Sequence, residues 1–312
     1  MGVNYGLGGF KDGLSYIYAA YVGSPHTITI DAVDQVTKFD TDLTPLSSYD
    51  AKLDASDKSI IRLNKQGVYL INWSATTSGA SNDDISINVS NDGSNFLQVG
   101  IQNFNSKGGD LWTTSGTLLY SYSAQNSLDT LYLCVENNGS AADIVINNLQ
   151  ISAVRLGGLH TNSTEFIAGT AYGMIYDSGG GSLTYSVTDT FYPLGLDMEN
   201  RNLLQMDAGT EELVIEQSGY YYLYGSFSVR GSSNDDLIVG VMKNGTEQTD
   251  VLKNPQQQWN AKGGAIYQTG YSAILALKAG DTIQPCIANS TDTTGATTFE
   301  YVNFVMSRIG NI

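Results

Sequence analysis

The sequence predicts an all-β protein built as two tandem antiparallel β-sandwich domains, and three observations carry that expectation. Landmarks recur in the same order at a nearly constant offset. Short runs alternate apolar and polar residues with the period of a half-buried strand. The residues between these runs are mostly Gly, Ser, Thr, Asn and Asp, the chemistry of turns. A chain of 312 residues is long enough for two cores of ordinary size.

The repeat is explicit. Gly67-Val68-Tyr69-Leu70 answers Gly219-Tyr220-Tyr221-Tyr222, and Ser81-Asn82-Asp83-Asp84 returns unchanged as Ser233-Asn234-Asp235-Asp236, both 152 residues on. Thr130 and Cys134 return as Thr282 and Cys286 at the same offset. Asn105-x-Lys107-Gly108-Gly109 matches Asn260-x-Lys262-Gly263-Gly264 at 155, and Arg155-Leu156-Gly157 matches Arg308-Ile309-Gly310 at 153. Chance does not give ordered matches of this kind, and the small drifts are those of loop insertions. The expected division is a glycine-rich arm over residues 1–15, a first sandwich over 16–158 and a second over 159–312, entered through the polar stretch Leu159 to Thr164.

Within the first repeat the expected strands are Val68 to Trp73, Ile85 to Val89, Ser115 to Tyr122, Thr130 to Val135 and Val145 to Val154. Ile85 to Val89 ends at Asn91-Asp92-Gly93, and its counterpart Leu237 to Met242 ends at Lys243-Asn244-Gly245. Both tripeptides tolerate the positive φ of a tight turn. Tyr220 to Phe227 answers Val68 to Trp73. Ala51 to Ile61 and Leu203 to Leu213 have a faint helical look and are read as loop plus strand.

Composition excludes several roles. Hydrophobic residues make up 41% and charged residues 15%, the balance of a folded chain. Thirty-one acids against 15 bases leave a net charge of −16. Such a surface repels nucleic-acid phosphates and anionic lipid headgroups, so neither nucleic acid nor membrane is expected as a partner. The N-terminus reads as no secretory signal, and synthesis and assembly in the cytosol are expected. Cys134 and Cys286 sit at equivalent places in the two repeats and are read as free buried thiols, one in each core.

The residues offer little chemistry. His26 and His160 stand in unrelated contexts, which leaves a histidine triad or a His-rich metal site without parts. No phosphate-binding loop, nucleophile elbow or Cys-x-x-Cys is present. No cofactor and no enzymatic activity are expected. The repeated Ser-Asn-Asp-Asp is the one tempting element: Asp83, Asp84, Asp235 and Asp236 supply hard oxygens suited to Ca²⁺, while the same residues also serve loop-to-strand turns. The turn reading takes precedence, and no metal is expected.

Gly219-Tyr220-Tyr221-Tyr222-Leu223-Tyr224, Lys243-Asn244-Gly245, Leu277-Lys278-Ala279-Gly280-Asp281-Thr282 and Phe299-Glu300-Tyr301-Val302-Asn303-Phe304 together resemble the globular head of the C1q/TNF superfamily. The first repeat keeps the Gly-x-Tyr strand and departs at the hairpin and at Gln125-Asn126-Ser127-Leu128-Asp129, so the resemblance is looser there. It implies a jelly roll that packs as a homotrimer around a three-fold axis. Tyr69, Tyr221 and Phe304 are the candidates to line that axis, with ordinary sandwich core as the alternative. Similar heads occur on spore surfaces and on bacteriophage virions.

The expectation drawn from this resemblance is a structural protein of the virion surface, a trimeric phage capsid decoration protein or head fibre, with the major capsid protein or another virion protein as partner. Tyr5, Leu7 and Phe10 would anchor the arm to the shell, against the alternative of a frayed terminus. The second expectation is a receptor- or glycan-binding tip of a tail fibre or spore-surface module. There Trp112 and Trp259 would stack on host sugars, or else pack as strand-edge aromatics.

Overall fold

The computed structural model describes residues 15–21, 23–80, 83–97, 100–106, 108, 110–122, 130–157, 171–177, 181–195, 197–202, 204–207, 211–232, 234–245, 251–252, 256–261, 265–291 and 295–311. Every element among them is a strand. The first half runs β1 (Tyr16–Tyr21), β2 (His26–Ile28), β3 (Thr37–Lys38), β4 (Leu43–Tyr49), β5 (Lys52–Leu53), β6 (Ile61–Arg62), β7 (Gly67–Ser78), β8 (Asp84–Ser90), β9 (Gln102–Asn105), β10 (Trp112–Tyr122), β11 (Thr130–Asn137) and β12 (Ile144–Gly157). The second half runs β13 (Tyr172–Asp177), β14 (Ser182–Thr184), β15 (Tyr192–Pro193), β16 (Asp197–Asn202), β17 (Leu204–Asp207), β18 (Glu212–Ile215), β19 (Gly219–Arg230), β20 (Asp236–Lys243), β21 (Gln257–Asn260), β22 (Ile266–Leu277), β23 (Thr282–Asn289) and β24 (Ala296–Gly310).

The two halves repeat strand for strand. In the first, β10-β7-β12-β2 form a front sheet, with β1 held beside β12 by Arg155 N donating to the Ser15 carbonyl. Its back sheet runs β5-β6-β11-β8-β9, with β3 on β11. In the second, the front sheet is β22-β19-β24-β13-β16 and the back sheet β17-β18-β23-β20-β21, with β14 on β24 and β15 on β23. Arg308 N donates to the Ala171 carbonyl as Arg155 does to Ser15. The principal order, β1-β12-β7-β10 facing β6-β11-β8-β9, is that of a double Greek-key jelly roll. The same bulge interrupts β12 between Ile146 and Asn148 and β24 between Phe299 and Tyr301. The expected linker and domain boundary fall on residues 158–170, and the arm almost wholly on residues 1–14; both lie outside the described residues.

Alternation builds the cores. Along β7, Tyr69, Ile71, Trp73 and Ala75 point into the first sandwich, and along β19, Tyr221, Leu223, Phe227 and Val229 point into the second. Glycines make room where the sheets are crowded: a Cβ on Gly116 would lie 2.6 Å from the Trp73 indole. In the Ala51–Ile61 stretch β5 pairs antiparallel with β6, and in the described part of Leu203–Leu213 β17 pairs antiparallel with β18. Asn244 and Gly93 adopt the positive φ their turns require, +62° and +78°.

Register corrects the axis assignment. Tyr69, Tyr221 and Phe304 are 0% exposed and lie between the sheets of their own sandwiches. Side chains on a front sheet's outer face are those of the alternate residues, such as Leu70, Tyr222 and Val305. The two tyrosines have a structural task instead. Tyr69 Oη donates to the Lys65 carbonyl and Tyr221 Oη to the Gln217 carbonyl, each at 2.6 Å, closing the turn that precedes the strand. Both thiols are buried as expected, but not in the sandwich cores: Cys134 lies between the core-facing Leu133 and Val135 and Cys286 beside the core-facing Ile287, so each is on the other face of its back sheet. Burial pushes Cys134 up to about 12, and Cys286 is raised for the same reason.

Tyr69→Phe and Tyr221→Phe should each lower unfolding free energy by about 1–2 kcal/mol, since each leaves a turn carbonyl unpaired. The two losses should add in the double variant, read from urea titrations. A thiol reagent at pH 8 should label neither cysteine in the native chain and both once guanidinium has unfolded it.

Candidate functional site

The sequence-selected candidates do not converge. Asp83 is a loop lock: its Oδ2 accepts from Ala80 N at 2.9 Å, its Oδ1 from Ser140 Oγ at 2.6 Å, and its carbonyl from Ser106 N at 2.8 Å. Asp235 repeats this, accepting from Ser232 N at 3.0 Å and, through its carbonyl, from Ala261 N at 2.6 Å. Asp236 Oδ1 accepts from Asn260 Nδ2 at 2.9 Å, tying β20 to β21. Asp84, its counterpart, is half-buried and hydrogen-bonds to the Asn103 side chain, which ties β8 to β9 in the same way. Among the described residues no three His, Cys, Asp or Glu side chains gather as metal ligands. Among the described residues of the repeated motif, Asp83 and Asp235 hold their loops by equivalent hydrogen bonds.

Trp112 is half-buried and stacks on Phe104, with ring centroids 6.3 Å apart. Trp259 is half-buried against the second core. Phe104 and Trp259 occupy equivalent places on β9 and β21, so each repeat closes the open side of its sandwich with an aromatic. His26 Nε2 pairs with Asp40 Oδ1 at 2.8 Å on the surface. His160, Tyr5, Leu7 and Phe10 lie outside the described residues.

The feature the structure does build, and that the sequence reading missed, is the seam between the sandwiches. The β9–β10 edge of the first lies on the outer face of the second's front sheet. Gln102 Nε2 donates to Ser226 Oγ at 3.0 Å, Asn103 N to Ser228 Oγ at 3.0 Å, and Gly100 N to Asn303 Oδ1 at 2.9 Å. Ile266 N donates to Asn105 Oδ1 at 2.7 Å and Gln268 Nε2 to the Ser115 carbonyl at 3.0 Å, while Tyr224 Oη meets Ser115 Oγ at 3.1 Å. Gly100 enters this contact at φ +83°, and a Cβ there would lie 2.8 Å from Leu118. Tyr172, Met174 and Val305 on the second sandwich's outer face join the core cluster of the first.

Charge at the seam is unbalanced. Asp84 and Glu136 come from the first sandwich and Glu300 from the second, where Arg230 Nη2 pairs with Glu300 Oε1 at 3.4 Å. Burial raises the Asp84 carboxyl, and the nearby Glu300 charge adds to the rise. Burial likewise raises Glu136, with Asp34 and Asp84 contributing. The Tyr301 hydroxyl is raised by burial and by the same acids.

No protein-family model matches the chain, and no curated protein matches it in sequence. Solved structures similar to it include an Eiger TNF from S. frugiperda, at 12% identity and TM-score 0.35, covering 46% of this chain and 95% of that one. The vertex protein P5 of PRD1 is similar at 18% identity and TM-score 0.30, covering 46% and 97%. The N-terminal CBM22-1-CBM22-2 tandem domain of Xyn10C from Paenibacillus barcinonensis is similar at 11% identity and TM-score 0.26, covering 90% and 93%. Likeness this slight carries no function across, and the jelly roll rests on the strand order alone.

Two carboxylates raised by burial bind protons in the folded chain at a pH where the unfolded chain has released them. Their contribution is therefore fully present below the ordinary carboxylate range, about pH 4, and is lost as pH rises through the raised values. Thermal melts should show this decline on the alkaline side of pH 4. Glu136→Gln should flatten it, and an unchanged slope would remove Glu136 as its source.

Proposed function

We propose that the chain is a structural protein displayed on a virion surface, a capsid decoration protein or head fibre of a bacteriophage, working as a homotrimer docked to the major capsid protein or another virion protein. The observation that carries this reading is the seam. It joins two closed jelly rolls into one body through hydrogen bonds and shared core, an arrangement suited to presenting fixed surfaces. The gap lined by Phe39, Thr41, Leu43 and Ile61 is core packing that encloses no space for a water molecule. A net charge of −16 keeps such a body off nucleic acid while a genome is being packaged. Residues 1–15 would supply the attachment, with glycines for reach and Tyr5, Leu7 and Phe10 for apolar contact.

The test is co-sedimentation of purified chain with shells of the phage that lack it. Full-length chain should pellet with shells. The triple variant Tyr5→Ala, Leu7→Ala, Phe10→Ala should remain in the supernatant with an unchanged melting temperature. Full-length chain that never pellets with shells overturns the display role. Chelator should change neither pelleting nor melting temperature, because the acidic loops are held by backbone amides and hydroxyls.

A further inference from the structure

The seam uses one surface from each repeat, yet each repeat carries both. The first sandwich contributes its β9–β10 edge and the second its front-sheet face. That leaves the β21–β22 edge at one end of the chain and the β7–β10–β12 face at the other. Burial shows the asymmetry directly. Gln102 and Asn103 are 0% and 6% exposed, whereas their counterparts Gln257 and Gln258 are exposed. Ser226 and Ser228 are 0% exposed, whereas their counterparts Ser74 and Thr76 are half-exposed.

The chemistry of the contact is kept at the unused ends. Two amide side chains stand on each edge, Gln102 and Asn103 on one and Gln257 and Gln258 on the other. Two hydroxyls stand in register on each face, Ser226 and Ser228 on one and Ser74 and Thr76 on the other. An amide holds the adjoining strand in both, Asn303 on β24 and Gln150 on β12. We propose that the β21–β22 edge of the second sandwich docks on the β7–β10–β12 face of the first sandwich in another copy of the chain. The contact is heterologous, joining two different surfaces, so copies add head to tail until a ring closes.

Four departures shape this contact. Gly100 corresponds to Pro255, which has no N–H, so that one hydrogen bond is not repeated. Glu136 corresponds to Ala288, and Glu300 to Asn147, so the crowding of acids that marks the seam within the chain is absent between chains. Arg230 corresponds to Ser78, which removes the cation as well. Of the three seam acids only the counterpart of Asp84, Asp236, remains at this contact, so association between copies is less sensitive to pH than the seam. The inference stands apart from the display role and does not need a shell.

The experiment is solution mass by light scattering on the full chain at tens of micromolar. Wild type should exceed the 33.5 kDa of one chain. Gln258→Lys should abolish the free edge and Ser74→Arg the free face, each returning the mass to one chain with an unchanged circular dichroism spectrum. Mixing the two variants should give two-chain particles and nothing larger, because each retains the surface its partner lacks. A single-chain mass for wild type, or a wild-type-like mass for both variants, overturns the proposal. Cysteine trapping provides a second readout. Chains carrying both Gln258→Cys and Thr76→Cys should link through disulfides under a mild added oxidant, and chains that fail to link overturn the contact. Shell binding is scored separately, so failure here leaves the display role to its own test.

Discussion

A buried strand edge has to find partners for the N–H and C=O groups that no neighbouring strand pairs, since an orphaned backbone donor away from water costs about as much as a lost hydrogen bond. The first sandwich meets that requirement with side chains of the second. β9 does not extend the second sandwich's sheet; it stands on the sheet's face, where Ser228 and Asn303 receive the backbone amides of Asn103 and Gly100. Hydroxyl and amide acceptors impose direction and register that an apolar contact alone lacks. The apolar part, Tyr172, Met174 and Val305 entering the neighbouring core, supplies the area.

The carboxylates work against this join. Asp84, Glu136 and Glu300 approach one another where burial already disfavours charge, and Arg230 is the cation paired there with Glu300. Elsewhere acids are cheaply held. Asp92 lies at about 2 because the Asn95 side chain and the Ser94 amide donate to it in an open turn. The contrast is one of solvent access: similar carboxyl groups sit well on a loop and poorly in a seam.

Much of the architecture was legible in the sequence. The 152-residue landmarks fixed Gly67 opposite Gly219 and Asp84 opposite Asp236, and both pairs begin equivalent strands. Alternation placed strands without placing faces, so Tyr69, Tyr221 and Phe304 could be read as outward when they are core. Period two says which residues share a side and not which side is inside. The seam left one trace that was passed over. Phe304-Val305-Met306 and Met174-Ile175-Tyr176 are unbroken apolar runs, which a strand with one wet face does not carry. Their counterparts in the first repeat, such as Ile151-Ser152-Ala153, alternate. The burial of Ser226 and Ser228 had no local signal, because small polar residues suit water and a hydrogen-bonded contact equally.

The shared bulge in β12 and β24 bears on how such a chain avoids tangling as it emerges from the ribosome. Either strand laid beside β7 finds a matching register and a kink in the right place, so the backbone alone does not distinguish them. The difference lies on the outer side. β24 in the place of β12 would put Val305 and Tyr301 where Ser152 and Asn148 meet solvent, and would strip the apolar residues from the sheet that needs them. Discrimination between near-identical repeats thus falls to the residues that the jelly roll itself does not use, so the join between the sandwiches also proofreads their assembly.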